Sequence, residues 1–173
     1  MPIETVVFVV GVGASVLGLW FVMRGAMHLW GADAPGRLTV PVGALAFVAV
    51  PLTWDFATSG HEGSVGYLWI GLSFFGLARR GRELRVGLEP PVNRPHWLLV
   101  VLGSGALVRP EFAMYSVSFL VVWLVLHRGA RGSRVRALAW AFGPTVAYQV
   151  FRMGYYGLVL PNTALAKLGG PLG

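Results

Sequence analysis

The sequence predicts an all-α fold, a polytopic bundle of transmembrane helices with about six membrane-crossing or half-crossing segments. Three observations carry this. Of 173 residues, 55% are hydrophobic and only 12% charged, with a mean hydropathy of +0.66, which is too apolar for an ordinary soluble domain. Apolar runs of helix-spanning or half-spanning length recur along the chain, separated by short basic loops. The cations also sort by side: of the 14 Lys and Arg residues, 11 fall on one side of the membrane in a single consistent topology.

A formal charge of +7 and a pI near 10.8 would otherwise suggest nucleic acid. Here the arginines sit between apolar runs and not on one clustered face, so no nucleic-acid partner is expected. With no cysteine, neither a disulfide nor a thiolate metal site can form. There is no N-x-Ser/Thr sequon.

The first run, residues 5–23, is about 19 residues long, and Met1-Pro2-Ile3-Glu4 supplies no positive n-region, so it reads as a retained helix and not a signal peptide. Glu4 before it and Arg24 and Arg37 after it put its start outside and its end inside, as expected of a chain whose first helix lies upstream. The second run, residues 38–53, tolerates Pro41 in its first turn and exits outward into Trp54-Asp55-Phe56-Ala57-Thr58-Ser59-Gly60-His61-Glu62-Gly63. A third, residues 64–78, returns the chain to an inside loop carrying Arg79, Arg80, Arg82, Arg85 and Arg94 against Glu83 and Glu89. Residues 97–127, about 31 in all, are too many for one untilted helix. Within them, Arg109 and Glu111 would each cost about 2.5–3.5 kcal/mol at mid-bilayer, and Pro110 breaks the helix between them, so the segment is expected to turn back there at the outer face. It then reaches Arg128, Arg131, Arg134 and Arg136 inside, and residues 137–151 cross outward to Arg152-Met153-Gly154-Tyr155-Tyr156-Gly157. Gly11 with Ser15, Ala14 with Gly18 and Gly103-Ser104-Gly105 form small-residue faces where helices can approach closely. Residues 1–173 form one transmembrane domain.

Arg109, Arg152 and Lys167 are the three cations left outside. Each sits among polar or aromatic residues. Arg109-Pro110-Glu111 either neutralises itself or faces a polar cavity. The cavity is favoured, because intramembrane ionisable groups are functional candidates by default and arginine's planar fork suits a phosphate. The stretch Asp55 to Glu62 gathers two acids, two hydroxyls and His61, although Asp55 or Thr58 could simply cap the next helix. One His with two carboxylates lacks a paired-ligand spacing, so no metal site is assigned. Tyr155 and Tyr156 fit an interfacial aromatic belt, and Lys167 fits a bilayer anchor or a phosphate contact.

Three strings carry a resemblance: Asp55-Phe56-Ala57-Thr58-Ser59-Gly60-x-Glu62; Leu107-Val108-Arg109-Pro110-Glu111-Phe112-Ala113; and Tyr148-Gln149-Val150-Phe151-Arg152-Met153-Gly154-Tyr155-Tyr156-Gly157 running into Pro161-x-Thr163-Ala164-Leu165-Ala166-Lys167. The chain resembles the terminal arabinofuranosyltransferases that cap arabinan in mycolate-type cell walls, within the GT-C superfamily of polyprenyl-phosphate-sugar-dependent glycosyltransferases. The last string is the most specific; the other two are shared more loosely across GT-C enzymes. The resemblance covers essentially all 173 residues, as an internal portion of a larger GT-C membrane domain. It differs in two respects. The acidic pair that this family carries in its first extracytoplasmic loop has no counterpart here, and neither has the soluble C-terminal region. His61 stands where relatives usually have an apolar residue.

The resemblance implies transfer of arabinofuranose from decaprenyl-phospho-arabinose to the ends of cell-wall arabinan at the plasma membrane, with the motif loops extracytoplasmic. Arg109, Arg152 and Lys167 would bind the donor phosphate, Arg109 foremost because Pro110 beside it frees backbone N–H groups, and Lys167 least. Glu62, Glu111, Tyr155, Tyr156 and Asn162 would contact sugar or acceptor, or hold the cations in place. The expected catalytic acidic pair being absent, Asp55 and Glu62 are the fallback, and the chain by itself is expected to lack transferase activity. No cofactor is required by this reading, with a divalent cation left open. The alternatives are a non-enzymatic transporter or scaffold, for which no inverted repeat is visible, and a GT-C enzyme using another polyprenyl-phosphate sugar.

The topology makes the first prediction, convenient to test in a cysteine-free chain. Single cysteines at Ser59 and Asn162 are expected to react with an impermeant reagent from outside and one at Ser133 only from inside. Labelling of Ser133 from the outer face would overturn it.

Overall fold

A computed structural model describes residues 2–30, 42–58, 63–87, 96–127 and 131–156. Among them are eight helices: α1 (Ile3–Trp30), α2 (Val42–Ala49), α3 (Pro51–Thr58), α4 (Gly63–Arg85), α5 (Trp97–Gly103), α6 (Gly105–Val108), α7 (Phe112–Leu126) and α8 (Arg131–Tyr156). The described residues form no strand.

The longest helix, α1, has 28 residues, about 42 Å at 1.5 Å per residue, and is the one described helix long and apolar enough by itself to cross a membrane. α7, with 15 residues, is a shorter apolar helix. The second apolar run is not continuous. It is divided into α2 and α3 at Val50, where Pro51, lacking an N–H, starts a new helix and Thr53 N–H donates to the Val50 carbonyl at 3.0 Å. Asp55, expected in an exit loop, therefore lies exposed on α3.

α1 lies along α4 through small residues. Gly11, Ala14, Ser15, Gly18 and Gly25 are its buried positions, a stripe at helical spacing, while Val6, Val9, Val10 and Val16 are exposed. The approach is backbone to backbone: a Cβ on Gly18 would lie 2.6 Å from the Tyr67 carbonyl, and one on Gly71 would strike the Gly18 carbonyl. Where the surroundings are as apolar as the side chains, this dispersion contact is what holds two helices together. Contacts rise together in number, Gly18 with Gly71, Gly25 with Phe74 and His28 with Arg82, so α1 and α4 run parallel.

α4 continues two turns beyond the expected boundary, through the arginines assigned to a loop. Arg79 pairs with Glu83 at 3.2 Å, one turn on. Arg82 lies 3.3 Å from His28 Nδ1, and Arg85 Nη2 donates to the carbonyls of His28 (3.3 Å) and Leu29 (2.9 Å), satisfying the last turn of α1. Gly87, at φ +69°, follows in the left-handed conformation that glycine adopts at little cost.

The second half packs on α4. Leu77, Leu99, Leu102, Leu120, Trp123, Ala137 and Ala141 form one buried cluster from α4, α5, α7 and α8. Gly76 meets Leu98 while Trp69 meets Val101, so α5 runs opposite to α4; Gly66 meets Phe112 and Trp69 meets Phe119, so α7 runs with it. At the end where α7 stops, Trp123 stacks on His127 (4.4 Å), and His127 Nε2 lies 3.0 Å from Ser133 Oγ. Burial, then the charges of Arg80 and Arg134, hold the His127 imidazole below its usual pKa, favouring its neutral form. The Arg-rich ends of α4 and α8 thus meet, and the Arg109-Pro110-Glu111 turn lies at the opposite end of α7.

The α1–α4 contact predicts unequal glycines. Gly71→Ala should lower thermal stability in detergent by about 1–3 kcal/mol. Gly13→Ala, whose Cβ would meet nothing within 4 Å, should be neutral or stabilising by up to about 1 kcal/mol. Equal melting shifts would contradict the contact.

Candidate functional site

The site begins with a helix that fails to continue. α5 ends at Gly103 and α6 starts at Gly105, so the Val101 carbonyl falls outside the regular ladder. Three donors reach it: Trp69 Nε1 at 2.6 Å, Ser104 Oγ at 2.9 Å and Ser104 N–H at 3.2 Å. Trp69 is itself fixed, stacked on Phe112 (5.4 Å) and tilted against Phe119 (5.6 Å). The break is thus a specified feature, with its freed acceptor satisfied.

α8 rests on this break. A Cβ on Gly103 would collide with the Ala141 carbonyl, so only glycine permits the approach. Thr145 Oγ1 donates to the Gly103 carbonyl at 3.0 Å. Pro144, inside α8, has no N–H to give the Trp140 carbonyl, so one rung of the helix's hydrogen-bond ladder is missing beside the break it packs on, although the helix runs on through it.

Beyond α6 the chain turns at Arg109-Pro110-Glu111. Arg109 is extended (φ −149°, ψ 139°) and its N–H donates to the Gly105 carbonyl at 3.0 Å. The N–H groups of Phe112, Ala113 and Met114 donate to the carbonyls of Arg109, Pro110 and Glu111 at 2.9, 3.2 and 3.4 Å. These four N–H groups are used within the turn, so they are not among the amides that Pro110 was expected to free for a phosphate. Arg109 Nε and Glu111 Oε1 pair at 3.1 Å, with side chains 38% and 56% exposed, so the pair is worth no more than about 1 kcal/mol. Of the two readings of this motif, self-neutralisation accounts for that contact.

Between the turn and α8 lies a cavity of about 410 Å³, within the ordinary range for small-ligand sites. Ala106 and Leu107 of α6, Pro110 of the turn, and Thr145, Val146, Tyr148, Gln149 and Arg152 of α8 line it. Arg152 Nη2 is buried and has no hydrogen-bond partner among the described residues. A guanidinium nitrogen so placed is costly unless an anion or water completes it.

The structure therefore brings Arg152 to the Arg109-Pro110-Glu111 turn, joined through Pro110 and the cavity. Tyr155 is 72% exposed and stacks on Phe151 (5.8 Å), so it does not line the cavity. Asp55 does not line it either, and Tyr156 is the last residue of α8. Glu62, Asn162 and Lys167 lie outside the described residues. Among the described residues, no three His, Asp or Glu side chains come together as a metal-binding group. Thr145, Tyr148 and Gln149 carried no site assignment from the sequence. Their spacing with Arg152, at i, i+3, i+4 and i+7 in an apolar run, is the signal that would have found them.

Over 169 residues the chain is 38% identical to the terminal beta-(1->2)-arabinofuranosyltransferase of Mycobacterium tuberculosis, with 96% of the chain and 27% of that protein covered. Over 167 residues it is 36% identical to the protein of the same name from Corynebacterium glutamicum, with 89% of the chain and 23% of that protein covered. The chain thus spans about a quarter of the length of the curated relatives it matches. No family model and no solved structure matches it.

Proposed function

Because the chain is a homologue of terminal arabinofuranosyltransferases over about a quarter of their length, we propose that it forms the donor-phosphate side of a membrane arabinofuranosyltransferase site. Decaprenyl-phospho-arabinose is the donor and the arabinan chain end the acceptor, at the outer face of the plasma membrane. The observation that carries this is the cavity lined by Arg152, whose buried Nη2 calls for an anion. Arg152, not Arg109, is the leading phosphate ligand, since Arg109 Nε is engaged by Glu111. In the remaining roles, Arg109 lends charge at the rim held by Glu111, and Lys167 adds a further cation.

In the reaction, the acceptor hydroxyl oxygen bonds to the anomeric carbon as the bond from that carbon to the lipid-phosphate oxygen breaks. The electron pair leaves with the phosphate, and the hydroxyl proton passes to a carboxylate. Charge grows on the departing phosphate, so a guanidinium fixed in a low-dielectric wall stabilises the transition state more than the ground state. Asp55 and Glu62 are this chain's candidate carboxylates, exchanged in the whole protein for the acidic pair that the resemblance implies. The GT-C arrangement and the multi-pass topology complete the proposal.

Binding of a non-transferable phosphonate analogue of the donor to the purified chain in nanodiscs tests it. A charge-assisted contact of about 1.5–3 kcal/mol predicts that Arg152→Ala weakens binding about 10- to 150-fold, with Arg152→Lys recovering only part of it. Arg136→Ala, an exposed position near the other end of α8, serves as control. Equal affinities for Arg152→Ala and Arg136→Ala, both folded, would overturn the assignment.

A further inference from the structure

We propose that His127, Ser133 and Arg134, backed by the charge of Arg80, form a binding site for a phosphodiester anion at the end of the bundle opposite the cavity. The site shares no residue with that cavity, so it stands or falls separately from the role given to Arg152.

What the other cations at this end do is the first support. Arg79 pairs with Glu83, while Arg82 and Arg85 are occupied with the last turn of α1. Of the described acids, Glu4, Asp55, Glu83 and Glu111, only Glu83 lies at this end, and Arg134 has no acidic partner among the described residues. Arg134 is exposed, yet it stands one and two turns before Ala137 and Ala141, which are buried, so it lies on the face that α8 turns to the core. Topology asks for positive charge at this end and is indifferent to the face. Arg136, one turn before the exposed Trp140, meets that need from the outward side.

The surroundings of His127 are the second. The residue follows the end of α7, half-buried, with its ring stacked on Trp123 (15° between planes) and Nε2 3.0 Å from Ser133 Oγ. The charges that reach it are Arg80 from α4 and Arg134 from α8, while α5, apolar from Trp97 to Gly103, brings none. After burial, these two charges disfavour the imidazolium, and no carboxylate among the described residues counters them. Positive potential at a ring that solvent still reaches is complementary to an anion. Arg80, itself buried, contributes its field, and no hydrogen bond is asked of it.

Hydrogen bonding is the third. With the imidazole neutral, Nε2 and the Ser133 hydroxyl share one hydrogen between them. An anion beside Arg134 offsets the two arginine charges, and the imidazole then takes a proton from solvent. Nε2–H donates to Ser133 Oγ, and the Ser133 hydrogen is released to join the Arg134 fork on the two free oxygens of the diester. Trp123 favours the same state, because a cation over an indole face is attracted to it. Binding therefore raises the His127 pKa from its lowered value, so affinity increases as pH falls between the bound and free pKa values and is flat on either side. Val125 and Val135, 78% and 64% exposed, lie one or two residues from the site, so apolar surface adjoins it. An anionic phospholipid headgroup and a soluble diester offer it the same chemistry.

The test is an NMR titration of the full chain, labelled in its histidines, in phosphatidylcholine nanodiscs, with the His127 signal identified by its loss in His127→Gln. Two probes keep a constant charge over the range used: phosphatidylglycerol mixed into the disc, and soluble glycerophosphoglycerol. Each should raise the pH midpoint of the His127 signal. The soluble probe should bind about tenfold more weakly to Arg134→Ala and within twofold of wild type to Arg136→Ala, which removes the same charge from the outward face. Its binding to His127→Gln should lose the pH dependence. A midpoint raised by phosphatidylglycerol alone, lost in Arg134→Ala and kept in Arg136→Ala, would support the site and identify a lipid headgroup as its ligand; the same pattern with the soluble diester alone would identify a soluble one. A midpoint that neither probe moves, or equal responses in Arg134→Ala and Arg136→Ala, would overturn the site and leave these arginines to topology.

Discussion

The contact on which the cavity depends is the seating of the α8 backbone on Gly103. A carbonyl against a glycine Cα allows the two helices to approach more closely than any side chain would permit, and the Thr145 hydroxyl fixes their register with one hydrogen bond. From that register, Gln149 and Arg152 follow at one and two turns on the same face, next to the Arg109-Pro110-Glu111 turn that α6 delivers. Ser104 interrupts the opposite helix at this level, and Trp69 bonds to the carbonyl the interruption leaves. The cavity is therefore a consequence of two irregular helices meeting at their irregularities.

The helical class, the turn at Arg109-Pro110-Glu111 and the small-residue faces were legible in composition, charge and spacing. Gly18 and Gly103 serve the purpose their size suggested. Two features were hidden. The arginines after Ala78 looked like loop residues because positive charge near a membrane end has a topological explanation ready; Arg82 and Arg85 instead prolong α4 and bind the end of α1, contacts across more than fifty residues that local pattern cannot reveal. The α2–α3 break was hidden because Pro51 follows an apolar run without any polar punctuation.

At the site, the sequence isolated Arg152 and Arg109 by their sign, as cations outside the basic loops. It ranked Arg109 first because a proline next to a charge suggests available amides. In the structure four N–H groups of the turn, those of Arg109, Phe112, Ala113 and Met114, are bonded within it, and Arg109 Nε pairs with Glu111. Thr145 and Gln149 were passed over because a neutral polar residue in a spanning segment is individually unremarked. Their meaning comes from sharing a face with Arg152 and a wall with Pro110.

The central claim is that α8 presents the face of Thr145, Gln149 and Arg152 to α6 across the cavity. Paired cysteines in the cysteine-free chain measure this directly. Leu107→Cys with Val146→Cys places both thiols on the cavity lining, so a short bis-maleimide should join them, with the link read as a mobility shift after proteolysis between α7 and α8. Moving the second cysteine one residue, to Ala147 on the far face, should abolish the link. Equal cross-linking of the two pairs, or linking of the Ala147 pair alone, would mean that α8 is rotated away from α6 and that the cavity is not the one described.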